Sequence, residues 1–169
     1  MTVSIYDVSI PSLVRGLTNL SNILDKGAHY AAARKFDSAT LLHARLFPDM
    51  HPLVKQVQIA CDTAKGAAAR LAKLENPKHE DNEASFADLS ARIQKTLDFV
   101  KSATPEAMAG AESRQIVLQF PTNTLTFTGL DYLTHFVLPN FYFHISVAYA
   151  LLRNNGVEVG KRDFLGAIQ

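Results

Sequence analysis

Residues 132–152 read YLTHFVLPNFYFHISVAYALL. The run is long enough to cross a bilayer, which takes about 20 apolar residues. It also holds Pro139 and three polar groups, His135, Asn140 and His144, and each of these is expensive in lipid. A buried bundle helix is therefore expected, with no membrane partner. At about 100° per residue, Leu133, Val137, Asn140, His144, Val147 and Leu151 fall within one narrow stripe of that helix. Two polar residues thus sit at the centre of an apolar face. A buried amide or imidazole without a partner costs about 1–3 kcal/mol, so each is expected to bond to protein, water, metal or ligand. Leu138, Tyr142, Ile145, Tyr149 and Leu152 form a second apolar face. A helix apolar all round needs cover on two sides, and a second subunit in a two-fold homodimer is the expected cover. Pro139 cannot donate to the carbonyl of His135, so a bend is expected there.

Working outward, Gly129 and Asp131 open this helix and 154–156, with Gly156, end it, giving helix 4 over about 129–154. Before it, Ile116, Leu118 and Phe120 alternate with polar or smaller neighbours, as do Leu125 and Phe127, across a turn at Pro121-Thr122-Asn123. That pattern predicts a β-hairpin over about 115–128. Ser85 and Asp88 make a capping pair, and Phe86, Leu89, Ile93, Leu97 and Val100 mark helix 3 over about 85–101. Leu53, Val57, Ala60, Ala64, Ala67, Leu71 and Leu74 recur at helical spacing, predicting helix 2 over about 51–73. Helix 1, about 4–33, is capped by Ser4 and Asp7, with Pro11 predicting a kink or a later start near Ser9. Asp37 is expected to cap a short helical piece through Leu46, and 157–169 reads as a tail anchored by Phe164 and Leu165. The expected fold is all-α: a four-helix bundle in one domain, 1–169, with a short β-hairpin inserted between helices 3 and 4.

The 169 residues are 47% hydrophobic and 20% charged, with net charge +1. This excludes a disordered chain, and the scattered basic residues exclude a nucleic-acid partner. The lone Cys61 excludes an internal disulfide and reads as a small buried hydrophobe. Residues 1–11 carry no Lys or Arg and no apolar run, so a cytoplasmic location is expected.

On helix 2, Gln56 lies at the edge of the apolar stripe, one residue before Val57, placed to face Asn140 and His144 across the bundle. These three are the candidate pocket. Asn140 and Gln56 are expected to be mutual hydrogen-bond partners. His135 points away from His144 and reads as structural or interfacial. His43 and His51 flank the start of helix 2, at the surface or rimming a pocket mouth. Asp62 reads as a solvated acid or a partner of Lys65 or Arg34. Residues 156–161 have one residue too few between glycines for a phosphate loop.

The stretches 53–57 (LVKQV), 135–144 (HFVLPNFYFH) and 149–153 (YALLR) resemble the DinB/YfiT-like four-helix-bundle superfamily. More narrowly, 56–62 (QVQIACD), 127–129 (FTG), PNFYFH at 139–144 and GKRDFLG at 160–166 resemble an uncharacterised bacterial branch, a domain of unknown function. The resemblance implies a bundle that often binds a divalent metal through three histidines, one on helix 2 and two at HxxxH spacing on helix 4, sometimes to activate a thiol. The matching positions are Gln56, Asn140 and His144. Only the last is histidine, and amide oxygens are weak ligands for zinc or nickel. The expectation is therefore a small-molecule-binding bundle with no metal cofactor, its polar pocket lined by Gln56, Asn140 and His144. One alternative is a metal-dependent transferase or hydrolase holding zinc or nickel on those same residues. A structural or interaction protein acting through a dimer face is the other.

Overall fold

In the computed structural model, which describes residues 3–167, thirty residues form the first helix, α1 (Ile5–Arg34). A reciprocal capping box starts it: the Ser4 hydroxyl accepts the Asp7 N–H at 3.2 Å, and the Asp7 carboxylate accepts the Ser4 N–H at 3.0 Å. Pro11 lies inside α1 without ending it. A single turn, α2 (Ala39–Leu42), follows, its first N–H donated to the Asp37 carboxylate. It stops four residues short of the expected Leu46.

α3 (Leu53–Ala72) and α4 (Phe86–Lys101) come next, with Ser85 accepting the Asp88 N–H to open α4. β1 (Gln115–Gln119) and β2 (Thr124–Thr128) then pair antiparallel, with Ile116 opposite Phe127 and Leu118 opposite Leu125. Ile116 and Leu118 are buried while their neighbours in β1 are not, as a period of two requires.

The fourth long helix is not uniform. One α-turn, α5 (Gly129–Asp131), leads into a π-helical turn (Tyr132–Val137) and then α6 (Leu138–Asn154). The Leu138 N–H reaches back five residues to the Leu133 carbonyl. Pro139 has no N–H for the carbonyl four residues earlier, and the wider turn is inserted just where that bond is missing. The expected bend is thus a π turn.

The C-terminal segment is not a loose tail. Val157 and Val159 are buried, and α7 (Lys161–Leu165) lies against α1. Its anchor is the expected one only in part. Phe164 packs edge-on against Tyr149, but Leu165 is exposed, and the rest of the hold comes from the Lys26–Asp163 ion pair at 2.7 Å and from main-chain carbonyls. Asn19 donates to that of Phe164, and Arg15 to those of Leu165 and Ala167.

The core runs between α1, α3, α4 and α6. The second apolar face of the fourth helix is covered largely by the chain itself. Ile145 and Leu152 are buried, and a Cβ at Gly16 would stand 2.5 Å from the Phe141 ring, so α1 needs glycine there to approach α6. Tyr142 and Phe143 stay exposed. Among the described residues no helix is long and apolar enough to cross a membrane.

Candidate functional site

α3 and α6 pack against each other more extensively than any other pair of elements. Successive residues up α6 therefore meet residues further down α3, and the seam carries two polar rungs. At one, His144 Nδ1 lies 2.7 Å from Gln56 Oε1. At the other, Asn140 Nδ2 donates to Thr63 Oγ1 at 2.8 Å. Gln56 and Thr63 are seven residues apart, two helical turns on one face, while Asn140 and His144 are four apart. The expected Asn140–Gln56 pair does not form. An antiparallel partner of the residue one turn before His144 must lie beyond Gln56 on α3, and Thr63 occupies that place.

The first rung has a fixed proton arrangement. Gln56 Nε2 donates to the His51 carbonyl at 3.0 Å, which turns Oε1 toward the imidazole. An amide oxygen can only accept, so His144 Nδ1 carries the hydrogen and Nε2 the lone pair. Burial holds the imidazole below the ordinary histidine range, and His51 nearby adds to that. His144 is neutral at neutral pH. Among the described residues the buried side-chain nitrogens without a partner are His79 Nδ1 and Arg92 Nε. His144 Nε2, which has no protein partner either, is therefore reached by solvent.

The second rung opens onto a cleft of about 250 Å³ between α3, the π turn and the end of β1. Asn140 and Thr63 line it with Arg70, Tyr132, Phe120 and Phe136. The π turn presents Tyr132 and Phe136 as a stacked pair, ring centroids 5.9 Å apart, with Phe120 against Phe136 at 6.4 Å. Burial pushes the Tyr132 phenol up, against the opposing pull of Arg70, so it stays protonated.

Sequence reasoning missed Thr63, Arg70 and Tyr132. A signal was present: Gln56, Thr63 and Arg70 recur every seventh residue, a polar line on one face of α3.

Of the other expected residues, His135 is exposed, 3.9 Å from Asp131, and takes no part in the seam. His43 and His51 are exposed, and His51 touches the site through its carbonyl. Cys61 is fully buried, and burial pushes its thiol up to about 12. Asp62 pairs with Lys65 at 3.1 Å, as one reading expected, but its second partner is Arg92 at 3.0 Å, not Arg34. Arg92, 3% exposed, also binds Asp81 and Glu83. Gln58 donates to Glu83 as well. Burial alone would raise the Glu83 carboxyl, and the hydrogen bonds from Arg92 and Gln58 outweigh it and leave it below the usual range. This network ties the 73–85 connection to α3 and α4.

The three positions matching a histidine triad do not fit a transition-metal centre. Gln56 Oε1 and His144 Nδ1 are spent on each other, and the Asn140 amide faces Thr63. Among the described residues no three His, Cys, Asp or Glu side chains gather as ion ligands.

The model of the family described as "Domain of unknown function (DUF1993)" matches residues 5–165. The chain belongs to this family. Its fold is also that of a DinB family member protein from Shewanella denitrificans, whose crystal structure at 1.83 Å is 41% identical in sequence. The two superimpose with a TM-score of 0.89 over 96% of this chain and 92% of that one. The fold is thus a DinB-like helical bundle with a small antiparallel hairpin, as expected. No curated protein matches the chain.

Proposed function

We propose that this DUF1993 protein binds a small organic molecule in the cleft beside Asn140, without a resident transition metal. The Asn140–Thr63 rung carries the reading. It places a half-buried amide, its Oδ1 free of protein partners among the described residues, at the wall of a cleft whose lining joins three aromatic rings, Ile59 and Leu118 to the Arg70 guanidinium, Gln119 and Asp62. A few convergent polar groups in an apolar recess are what small-molecule sites consist of. At about 250 Å³ the recess lies just under the 300–1,000 Å³ range of drug-sized sites, which points to a metabolite-sized occupant. In this reading Gln56 and His144 set the seam that shapes the cleft.

The test is a thermal-shift screen of small polar metabolites, repeated on Asn140→Leu. Hits that vanish in the variant while its own stability holds or rises support a binding role. A variant that is more stable and keeps every hit marks Asn140 as a core accommodation.

A second reading rests on the solvent-reached Nε2 of His144, a lone pair able to take a proton or a metal. Elemental analysis after exposure to zinc or nickel decides it: one tight ion per chain, lost in His144→Ala, overturns the metal-free proposal. A cytoplasmic homodimer seated on the exposed Tyr142 and Phe143 completes the proposal. Light scattering of wild type and Phe143→Ser checks the assembly.

A further inference from the structure

Resting on the cleft reading above, we infer that the occupant is a small carboxylate with an apolar body, and that Arg70 is the residue that receives its charge. Arg70 is half-buried at the cleft wall and held flat: Nη1 donates to the Gly66 carbonyl at 3.0 Å and to the Tyr132 hydroxyl at 3.3 Å. The guanidinium carbon stands 5.9 Å from the centroid of the Tyr132 ring. Nε and Nη2 have no protein acceptor among the described residues and are not among the buried unpartnered nitrogens, so that edge of the fork faces solvent.

Nor does any carboxylate among the described residues pair with Arg70, although Arg92 has three. The one acid at the cleft, Asp62, is already bound by Arg92 and Lys65, which leaves Arg70 the uncompensated charge there. A planar fork with one edge pinned and the other free matches a carboxylate. Phe120, 42% exposed, and Phe136 form the apolar wall for the rest of the molecule.

Position 66 is shaped for this arrangement. A Cβ there would stand 2.5 Å from Arg70 Nη1 and 3.8 Å from the Tyr132 hydroxyl. Glycine in the middle of a helix is otherwise unfavourable, and here it is the space in which the guanidinium lies.

The test uses the intact protein and matched probes: 3-phenylpropionate and 4-methylpentanoate, their primary amides, and 2-phenylethylamine. Binding is followed by amide chemical shifts of residues 59–70 and 132–140. The acids are expected to bind about ten- to a hundred-fold more tightly than their amides, the worth of charge-assisted hydrogen bonds, with an affinity that falls as salt rises. Arg70→Met should erase that preference. Arg70→Lys, which keeps the charge and loses the fork, should retain only part of it.

Gly66→Ala is the more telling variant. It should leave the protein folded, the helix gain of alanine offset by the hydrogen bonds that Arg70 gives up, yet lose acid binding because the guanidinium is displaced. Amides or the amine binding as well as the acids, with Arg70→Met unchanged, overturns the carboxylate inference and leaves the cleft reading standing if Asn140→Leu abolishes the binding. No shift in the cleft with any probe overturns both.

Discussion

Replacing Gln56 with Leu removes the acceptor of the His144 N–H and little else. Gln56 is 2% and His144 8% exposed, so water cannot restore the bond in place. The His51 carbonyl also loses its donor, but His51 is exposed and is rehydrated. The loss is that of one buried unsatisfied donor, about 1–3 kcal/mol. For a chain of this size each kcal/mol moves the melting temperature by about 2–4 °C, giving a fall of about 2–12 °C. His144→Leu strands the Gln56 oxygen and should lose a similar amount. The double variant replaces both partners by apolar groups, which is close to neutral. The thermodynamic cycle, measured by urea unfolding, should therefore show the double variant more stable than the sum of the singles by about 2–6 kcal/mol, the two single losses together. Singles within about 0.5 kcal/mol of wild type, or strict additivity, would refute the buried pair.

Three further outcomes are expected. Because the folded His144 is held below the ordinary value of about 6.5, the unfolded chain takes up protons first as pH falls. Its contribution is then complete above about 6.5 and is lost as pH drops toward the folded value. His79 is shifted in the same direction, so the check is a shallower slope of stability against pH between 7 and 5 in His144→Gln than in wild type. Arg92→Met leaves Glu83, whose side chain is 7% exposed, without its ion partner. Breaking a buried pair this way should lower stability by about 3–5 kcal/mol, read from denaturant midpoints. Cys61, buried and with its thiol pushed up to about 12, should resist Ellman's reagent in the native protein and react once unfolded.

The helices were readable because each declares itself locally. Ser4 with Asp7 and Ser85 with Asp88 act as starts where their spacing says so, and α3, marked by its apolar steps, is capped by Lys73 in the left-handed conformation. The hairpin followed from alternation around Pro121-Thr122-Asn123. What the sequence did not show depends on contacts between elements. Thr63 becomes the partner of Asn140 only once α3 and α6 are set side by side. Tyr132 is drawn inside through a π turn that no periodicity announces. Arg92, between the core residues Leu89 and Ile93, looks like an exposed charge until the 73–85 connection folds Asp81 and Glu83 over it. The C-terminal helix is held largely by carbonyls, which carry no sequence signature, and by an ion pair to Lys26 that needs α1 alongside, although Gly160 with Asp163 is a legible start.

The most direct measurement is a map of amide chemical shifts, in the full-length protein, on addition of a ligand found by the screen. The cleft account predicts changes gathered on 59–70, 118–120 and 132–140, and their loss in Asn140→Leu. Changes centred instead on His51, Gln56 and the C-terminal half of α6 around His144, with the Asn140 region silent, would contradict it.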